Sequence, residues 1–218
     1  MSFRDRSEAG RRLGERLAHH AGDPSLLVLA LPRGGVPVAA GVAGALGAYL
    51  DVLLVRKLGV PGRRELAMGA IASGGVRIVN DAVVTSSAVS EDEFARVAEE
   101  ETAELERRER DLRGGRPPPA VEERTTILVD DGLATGSTMR AAVAALRALG
   151  AARVVVGVPV GSPDTCAELA REVDELVCVE TPEPFYAISL WYVDFEQVSD
   201  EEARATLAGG EGRAGARR

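Results

Sequence analysis

Several large classes of protein are excluded by what this chain of 218 residues has little of. Its two cysteines, Cys166 and Cys178, are too few and too widely spaced for a zinc cluster or a disulfide framework. They are expected to pack as small apolar side chains in a reducing compartment. No uninterrupted apolar run approaches the roughly 20 residues of a membrane span. The amino-terminal stretch MSFRDRSEAGRRLGERL is charged throughout and carries no apolar signal core, so a cytoplasmic location with no membrane partner is expected. Lys and Arg number 26 against 34 Asp and Glu, a formal charge of −8. A nucleic-acid or anionic-membrane surface needs clustered cations, so neither is expected as the main partner. No internal repeat is visible, and no Gly-Lys-Ser/Thr occurs to make a Walker-type phosphate loop. The length suits one large domain with a substantial core.

Among the features that are present, residues 126–139, TILVDDGLATGSTM, carry the most information. Ile127, Leu128 and Val129 form a short apolar run of the kind that makes a strand covered on both faces. Asp130 and Asp131 then fall at its carboxyl end, where open α/β sheets bind ligands, and two acids there suit the neighbouring hydroxyls of a ribose diol. Thr135, Gly136, Ser137 and Thr138 open a helix, and the free N–H groups of a helix amino terminus bind phosphate. One element therefore offers a site for both the diol and the phosphate of a ribose 5-phosphate. The plainer reading is a strand-to-helix cap that happens to contain Asp-Asp.

At these residues the sequence resembles the type I phosphoribosyltransferases, whose signature is four apolar residues, two acids and a short Thr-Gly loop. The resemblance implies binding of phosphoribosyl pyrophosphate (PRPP) by Asp130, Asp131, Ala134, Thr135, Gly136, Ser137 and Thr138, with Asp130 and Asp131 also serving Mg²⁺. Residues 26–40, LLVLALPRGGVPVAA, form a second buried strand ending in Arg33, Gly34 and Gly35, where the family has its pyrophosphate loop. The two glycines let the backbone approach a diphosphate, and Arg33 adds charge-assisted hydrogen bonds. The resemblance also suggests a cis peptide at Pro32–Arg33 or Arg33–Gly34. An ordinary Gly-Gly turn is the bland alternative. Residues 52–62, VLLVRKLGVPG, resemble the adenine phosphoribosyltransferases, with a strand, then Arg56 and Lys57, then a Gly/Pro loop. Arg56 and Lys57 are expected to meet the leaving pyrophosphate, with Arg63, Arg64 and Glu65 in a closing lid. A solvated basic turn competes with that reading.

Alternating elements imply an α/β fold with a parallel sheet. The expected order is a helix over 7–19, strands at 26–31 and 52–55 with a helix over 37–46 between them, and a strand pair at 67–71 and 76–79. A charged helix capped by Ser90 and Glu93 then ends near Gly114, its charges reading as a solvated face. The strand carrying the acid pair, a helix to Leu149, a strand at 154–159, a helix after Pro163 and a strand at 176–179 complete the core. The whole reads as a single phosphoribosyltransferase domain over 1–218: a core of about 1–180, a carboxyl-terminal hood over about 181–206 and a disordered tail over 207–218.

Most of the aromatic residues gather in the hood, at Phe185, Tyr186, Trp191, Tyr192 and Phe195. Phe185, Trp191 and Tyr192 are candidates for stacking on an acceptor, while the same cluster also suits the hood's own core or a dimer contact. His19 and His20 read as helix-end capping. Ala134 stands where the 6-oxopurine enzymes commonly have Asp, and the amino-terminal hood of the adenine enzymes has no counterpart, so the acceptor is left unassigned. The resemblance implies transfer of ribose 5-phosphate from PRPP to a nitrogenous acceptor, with Asp130, Asp131, Arg33 and Lys57 as catalytic residues, Mg²⁺ as cofactor and a homodimer as the assembly. The competing class is a non-catalytic PRPP sensor.

Overall fold

A computed structural model describes residues 2–214. In chain order it contains α1 (Arg6–Arg16), a 3₁₀ turn (Ala18–His20), β1 (Leu27–Ala30), α2 (Gly35–Leu46) and β2 (Tyr49–Val52). A long excursion follows: β3 (Val55–Val60), β4 (Arg63–Ala72), a 3₁₀ turn (Ser73–Gly75), β5 (Val76–Val79), α3 (Asp81–Ser86) and α4 (Glu91–Arg113). The chain then returns through β6 (Thr125–Val129), α5 (Ser137–Ala148), β7 (Arg153–Val160), α6 (Pro163–Leu169) and β8 (Glu175–Glu180). It ends with a 3₁₀ turn (Ile188–Trp191) and α7 (Asp200–Ala214).

The main sheet has the order β2-β1-β6-β7-β8, and every pairing in it is parallel. Its central strands become continuously apolar after their first residues, as suits a sheet covered by helices on both faces. Alternate residues serve opposite cores. Val28, Ala30, Ile127, Val129 and Val155 face a core shared with α1 and α2, whereas Leu27, Leu29, Leu128, Val154 and Val156 face one shared with α5 and α6. The sheet thus fixes which end of each strand reaches solvent, and with it the level at which the loops meet.

The expected strand over 52–55 is in fact a junction between two sheets. β2 stops at Val52; Leu53 N still donates to Ala30 O at 3.0 Å, but Ser73 N donates to Leu54 O at 2.9 Å and Leu54 N to Ser73 Oγ at 2.8 Å. From there the chain enters a separate antiparallel sheet, β3-β4-β5. Arg56 and Lys57 consequently lie within β3, not in a loop after a strand. The expected strand pair across residues 73–75 is present as β4 and β5.

The capping box at Ser90 and Glu93 starts α4, and Gly114, at φ 61°, ends it. The excursion is tied back to the main sheet by a buried pair. Arg113 Nε donates to Asp51 Oδ1 at 2.8 Å and Arg113 Nη2 to Val52 O at 2.8 Å. Their side chains are 3% and 1% exposed. Among the described residues no helix is long and apolar enough to cross a membrane.

Two further expectations need correction. The first helix ends at Arg16, and His19 and His20 bind the carboxylate of Glu175 instead of capping it. A disordered tail from Leu207 was expected from the Gly and Ala content. Instead α7 runs to Ala214, because Ala203 and Leu207 lie four apart on one helix face and are fully buried in the first core. Residues 215–218 lie outside the described residues. Cys166 and Cys178, distant in sequence, remain free thiols but meet beside Gly161, where an added Cβ would lie 2.6 Å and 3.4 Å from their sulfurs.

Candidate active site at the carboxyl edge of the sheet

β1 and β6 are neighbours, and the chain progresses outward from them in opposite directions, to β2 on one side and to β7 and β8 on the other. A crevice opens outside the carboxyl ends of the strands at such a reversal. The loop after β1 and the loop after β6 both enter it. Leu31 N donates to Val129 O at 2.8 Å, and the turn closes with Gly35 N on Leu31 O at 3.1 Å and Val36 N on Arg33 O at 3.1 Å. The Pro32–Arg33 peptide is cis.

Two glycines set the spacing between these loops. A Cβ on Gly34 would lie 2.1 Å from Asp131 Oδ2, and one on Gly35 would lie 2.7 Å from Val129 O and 3.2 Å from Asp130 Oδ1. Any side chain at Gly34 would therefore displace the second acid. The loop of Arg33 and the acid pair form one packed unit.

The two acids have different surroundings. Asp130 accepts a hydrogen bond from Asp131 N at 2.8 Å. Burial pushes its pKa well above the ordinary carboxylate value, and the charge of Asp131 pushes the same way, against the Asp131 N–H and the Arg6 cation. Asp131 Oδ2 instead accepts from Arg6 Nε at 2.8 Å. That guanidinium lies 3.9 Å from the centroid of the Phe195 ring and donates through Nη1 to Glu196 O at 2.7 Å. Tyr192 donates from its hydroxyl to Asp131 O at 2.6 Å, and burial raises the phenol's pKa. Arg6 is thus a site residue that the motif does not contain.

The loop of residues 132–136 is braced through its carbonyl oxygens. Leu133 O accepts from Ser162 N at 2.9 Å, Ala134 O from Thr165 Oγ1 at 2.7 Å and Thr135 O from Arg140 Nη1 at 3.2 Å. Arg140 is itself held by Glu168 at 2.7 Å and Glu172 at 2.9 Å. Gly136, at φ 72°, turns the chain into α5. Ala134, Thr135, Ser137 and Thr138 are exposed. With the carbonyls occupied, this loop and the first turn of α5 present N–H groups and hydroxyls to solvent, as an anion site requires.

Beside the loops lies a cleft reached by Arg33, Thr138, Arg56, Arg107 and Arg108, with Asp111 and Asp200 in its wall. Arg107 and Arg108 belong to the helix whose charges read as a solvated face, and Asp200 begins α7. Each arginine is engaged by a carboxylate. Arg33 lies 3.7 Å from Asp200, Arg56 pairs with Glu101, Arg107 is 2.8 Å from both Glu104 and Asp111, and Arg108 is 3.3 Å from Glu104. Lys57 is exposed and is not part of the lining. Arg63, Arg64 and Glu65 are exposed at the tip of the β3–β4 hairpin.

In the hood, Tyr192 is 6% exposed and joins a small core with Phe3, Ala9 and Val160, against which Phe185, Trp191 and Phe195 pack half-buried. The Tyr192 ring lies 5.5 Å from Phe3 and 4.9 Å from Phe195, centroid to centroid. A ring packed in this way has no free face for stacking, so Tyr192 supports Asp131 from behind, while Phe185 and Trp191 serve the same core. Phe3 N donates to Trp191 O at 2.7 Å, which pins the chain's start beneath the acid pair.

The family model of the phosphoribosyl transferase domain matches residues 7–189. Sequences from two Mycobacterium tuberculosis strains, each named "Putative phosphoribosyl transferase", are 47% identical over 205 residues, which is 94% of this chain. Those residues make up 46% of each relative, so the chain spans about half the length of the curated relatives it matches. A crystal structure of a Thermus thermophilus protein is 41% identical with a TM-score of 0.84, covering 96% of this chain and 99% of that one.

Proposed function

The chain belongs to the phosphoribosyl transferase domain family, and on that premise we propose that it moves ribose 5-phosphate from PRPP to a nitrogenous acceptor of the nucleobase kind. The observation that carries this reading is the convergence of three chemistries at adjacent strand ends: the acid pair, the Arg33 loop packed on it through Gly34, and the open amino turn of α5. In the reaction the bond from C1′ to the pyrophosphate oxygen breaks, the oxygen keeping the electron pair, and a bond from C1′ to the acceptor nitrogen forms.

Cationic character grows on the ribose ring and negative charge on the departing pyrophosphate, so the protein's task is to stabilise separating charges. Asp130 and Asp131 accept the 2′ and 3′ hydroxyls and favour the cationic ring. The turn at Thr135, Gly136, Ser137 and Thr138 takes the 5′-phosphate, with the backbone of Ala134 beside it. The backbone at Gly34 and Gly35 approaches the diphosphate. Arg33 and Arg56, with Arg107 and Arg108, exchange their carboxylate partners for phosphate oxygens, a like-for-like swap that leaves no cation unpaired at any stage. Lys57, outside the cleft lining, joins the diphosphate only if the β3–β4 hairpin moves. The carboxylates of Asp130 and Asp131 are hard oxygen donors that fit Mg²⁺ delivered with PRPP, and the ion supplies charge neutralisation on the leaving group. The exposed Tyr186, Leu190 and Val193 suit a contact between two copies of the chain, in keeping with a cytoplasmic homodimer.

The test is Mg²⁺-dependent pyrophosphate release from PRPP over a panel of purine, pyrimidine and pyridine bases, with a no-base control. Release dependent on one base establishes the transferase and names its acceptor. Tight PRPP binding with no release under any condition would replace it with the sensor.

A further inference from the structure

At the opposite, amino-terminal edge of the sheet, three metal-ligating side chains converge that the proposed transfer does not use. His19 Nε2 lies 2.8 Å from Glu175 Oε1 and His20 Nε2 lies 3.1 Å from Glu175 Oε2. One ligating atom from each of the three falls within 4.8 Å of the others. We propose that His19, His20 and Glu175 form a binding site for a borderline divalent transition metal of the Zn²⁺ type, separate from the acid pair.

Four features support the assignment. The donor set is right: two imidazoles and one carboxylate, leaving a fourth position for water, are the set of many zinc sites, whereas Mg²⁺ prefers oxygen ligands throughout. The spacing is nearly right, since bonds of about 2.0–2.1 Å place neighbouring tetrahedral ligand atoms about 3.3 Å apart, a few tenths of an ångström beyond the two His–Glu175 distances of 2.8 and 3.1 Å and inside the 4.8 Å that bounds the three ligand atoms.

The ligands are also held before any metal arrives. His20 is only 8% exposed, and its N–H donates to Leu17 O at 2.9 Å while Ala21 N closes the turn on Ala18 O at 3.0 Å. Glu175 is the first residue of β8 and pairs with Val155 of β7. Finally, the carboxylate has an outer partner. Arg153 Nη2 donates to Glu175 Oε2 at 2.9 Å, so a metal taking Oε1 leaves Arg153 orienting the other oxygen, as outer-shell groups do. His19, with more than half of its side chain exposed, provides the path of entry. A metal there would fasten the turn after α1 to β7 and β8 at the edge remote from Asp130 and Asp131, and would therefore act on stability and not on transfer.

The experiment uses the untagged chain, freed of metal by a chelator and titrated with Zn²⁺ against a chromophoric competitor, with Co²⁺ as a spectroscopic probe. The expected result is one Zn²⁺ per chain at this site, visible Co²⁺ absorption bands and a raised unfolding midpoint with Zn²⁺. His19→Ala, at an exposed position where folding is safe, should weaken binding by at least about tenfold and remove the midpoint shift, and His20→Gln should do the same. The Asp130→Asn/Asp131→Asn variant should keep the site. Absence of stoichiometric binding overturns the proposal, as does binding that survives His19→Ala and is lost in the double Asn variant, which would assign the metal to the acid pair.

Discussion

Residues 130–138 and residues 55–113 border the same cleft and are built in opposite ways. The first is a short loop fixed by backbone contacts: glycines in the facing loop leave no room for a side chain, and its carbonyl oxygens are held from neighbouring elements. The second is a long excursion that leaves the main sheet at Leu53 and Leu54, makes its own small sheet, and returns through a charged helix anchored by Arg113 on Asp51. Geometry comes from the first region and much of the positive charge from the second. In the proposed transfer, the groups that must sit within tenths of an ångström of a reacting atom are those on adjacent strand ends, while the groups that need only supply charge are those in exposed, exchangeable ion pairs.

The largest effect expected from breaking this division is on the short loop. Asp130→Asn/Asp131→Asn should lower turnover by about three orders of magnitude or more, on the scale of removing electrostatic stabilisers of a transition state, while the sheet still folds and the unfolding midpoint drops only by what the Arg6–Asp131 pair contributes. Steady-state kinetics beside a thermal melt separates the two. Next in size is Arg113→Met, which strips the partner from a buried carboxylate. Breaking such a pair costs about 3–5 kcal/mol, and Asp51 Oδ2 already has no hydrogen-bond partner. Denaturant titration should register the loss, and hydrogen exchange should find residues 55–113 opening before β1 and β6.

Arg107→Gln with Arg108→Gln should do the reverse, leaving stability within about 1 kcal/mol because exposed ion pairs contribute little, while the KM for PRPP rises by about tenfold, equivalent to about 1.4 kcal/mol. The smallest expected effect is a displacement of the pH profile. In the proposed reaction Asp130 binds the diol as a carboxylate, and its pKa is raised by burial and by Asp131. PRPP affinity should therefore fall on acidification at a higher pH than an ordinary carboxylate would dictate. Removing the neighbouring charge in Asp131→Asn lowers that pKa, and the acid limb of the affinity profile should move to lower pH in that variant.

These differences also explain which parts could be read from the sequence. The strands and the acid-pair loop were legible because a doubly covered strand, two acids and a Thr-Gly turn are contiguous, and the capping box at Ser90 is a local device. Arg6 was not, because it reaches Asp131 across 125 positions through the packing of α1 on the sheet. Arg107 and Asp200 reach the cleft by the same kind of tertiary route, and nothing in their local pattern distinguishes them from solvated charges. Arg56 and Lys57 read as equivalent because the switch between sheets at Leu54 depends on Ser73, a contact without a sequence signature. In the hood, composition left a stacking platform, a core of the hood's own and a dimer contact all open, and only tertiary packing places Tyr192 against the backbone of Asp131.

The central claim is that the acid pair and the amino turn of α5 hold PRPP against the arginines of the cleft. Calorimetric titration of PRPP with Mg²⁺ into the wild-type chain and into Asp130→Asn/Asp131→Asn tests it most directly. The account predicts saturable one-site binding to the wild type that is lost in the variant while the variant still unfolds in a single cooperative transition. Equal affinity in the two proteins would contradict it and move the ligand to another part of the molecule.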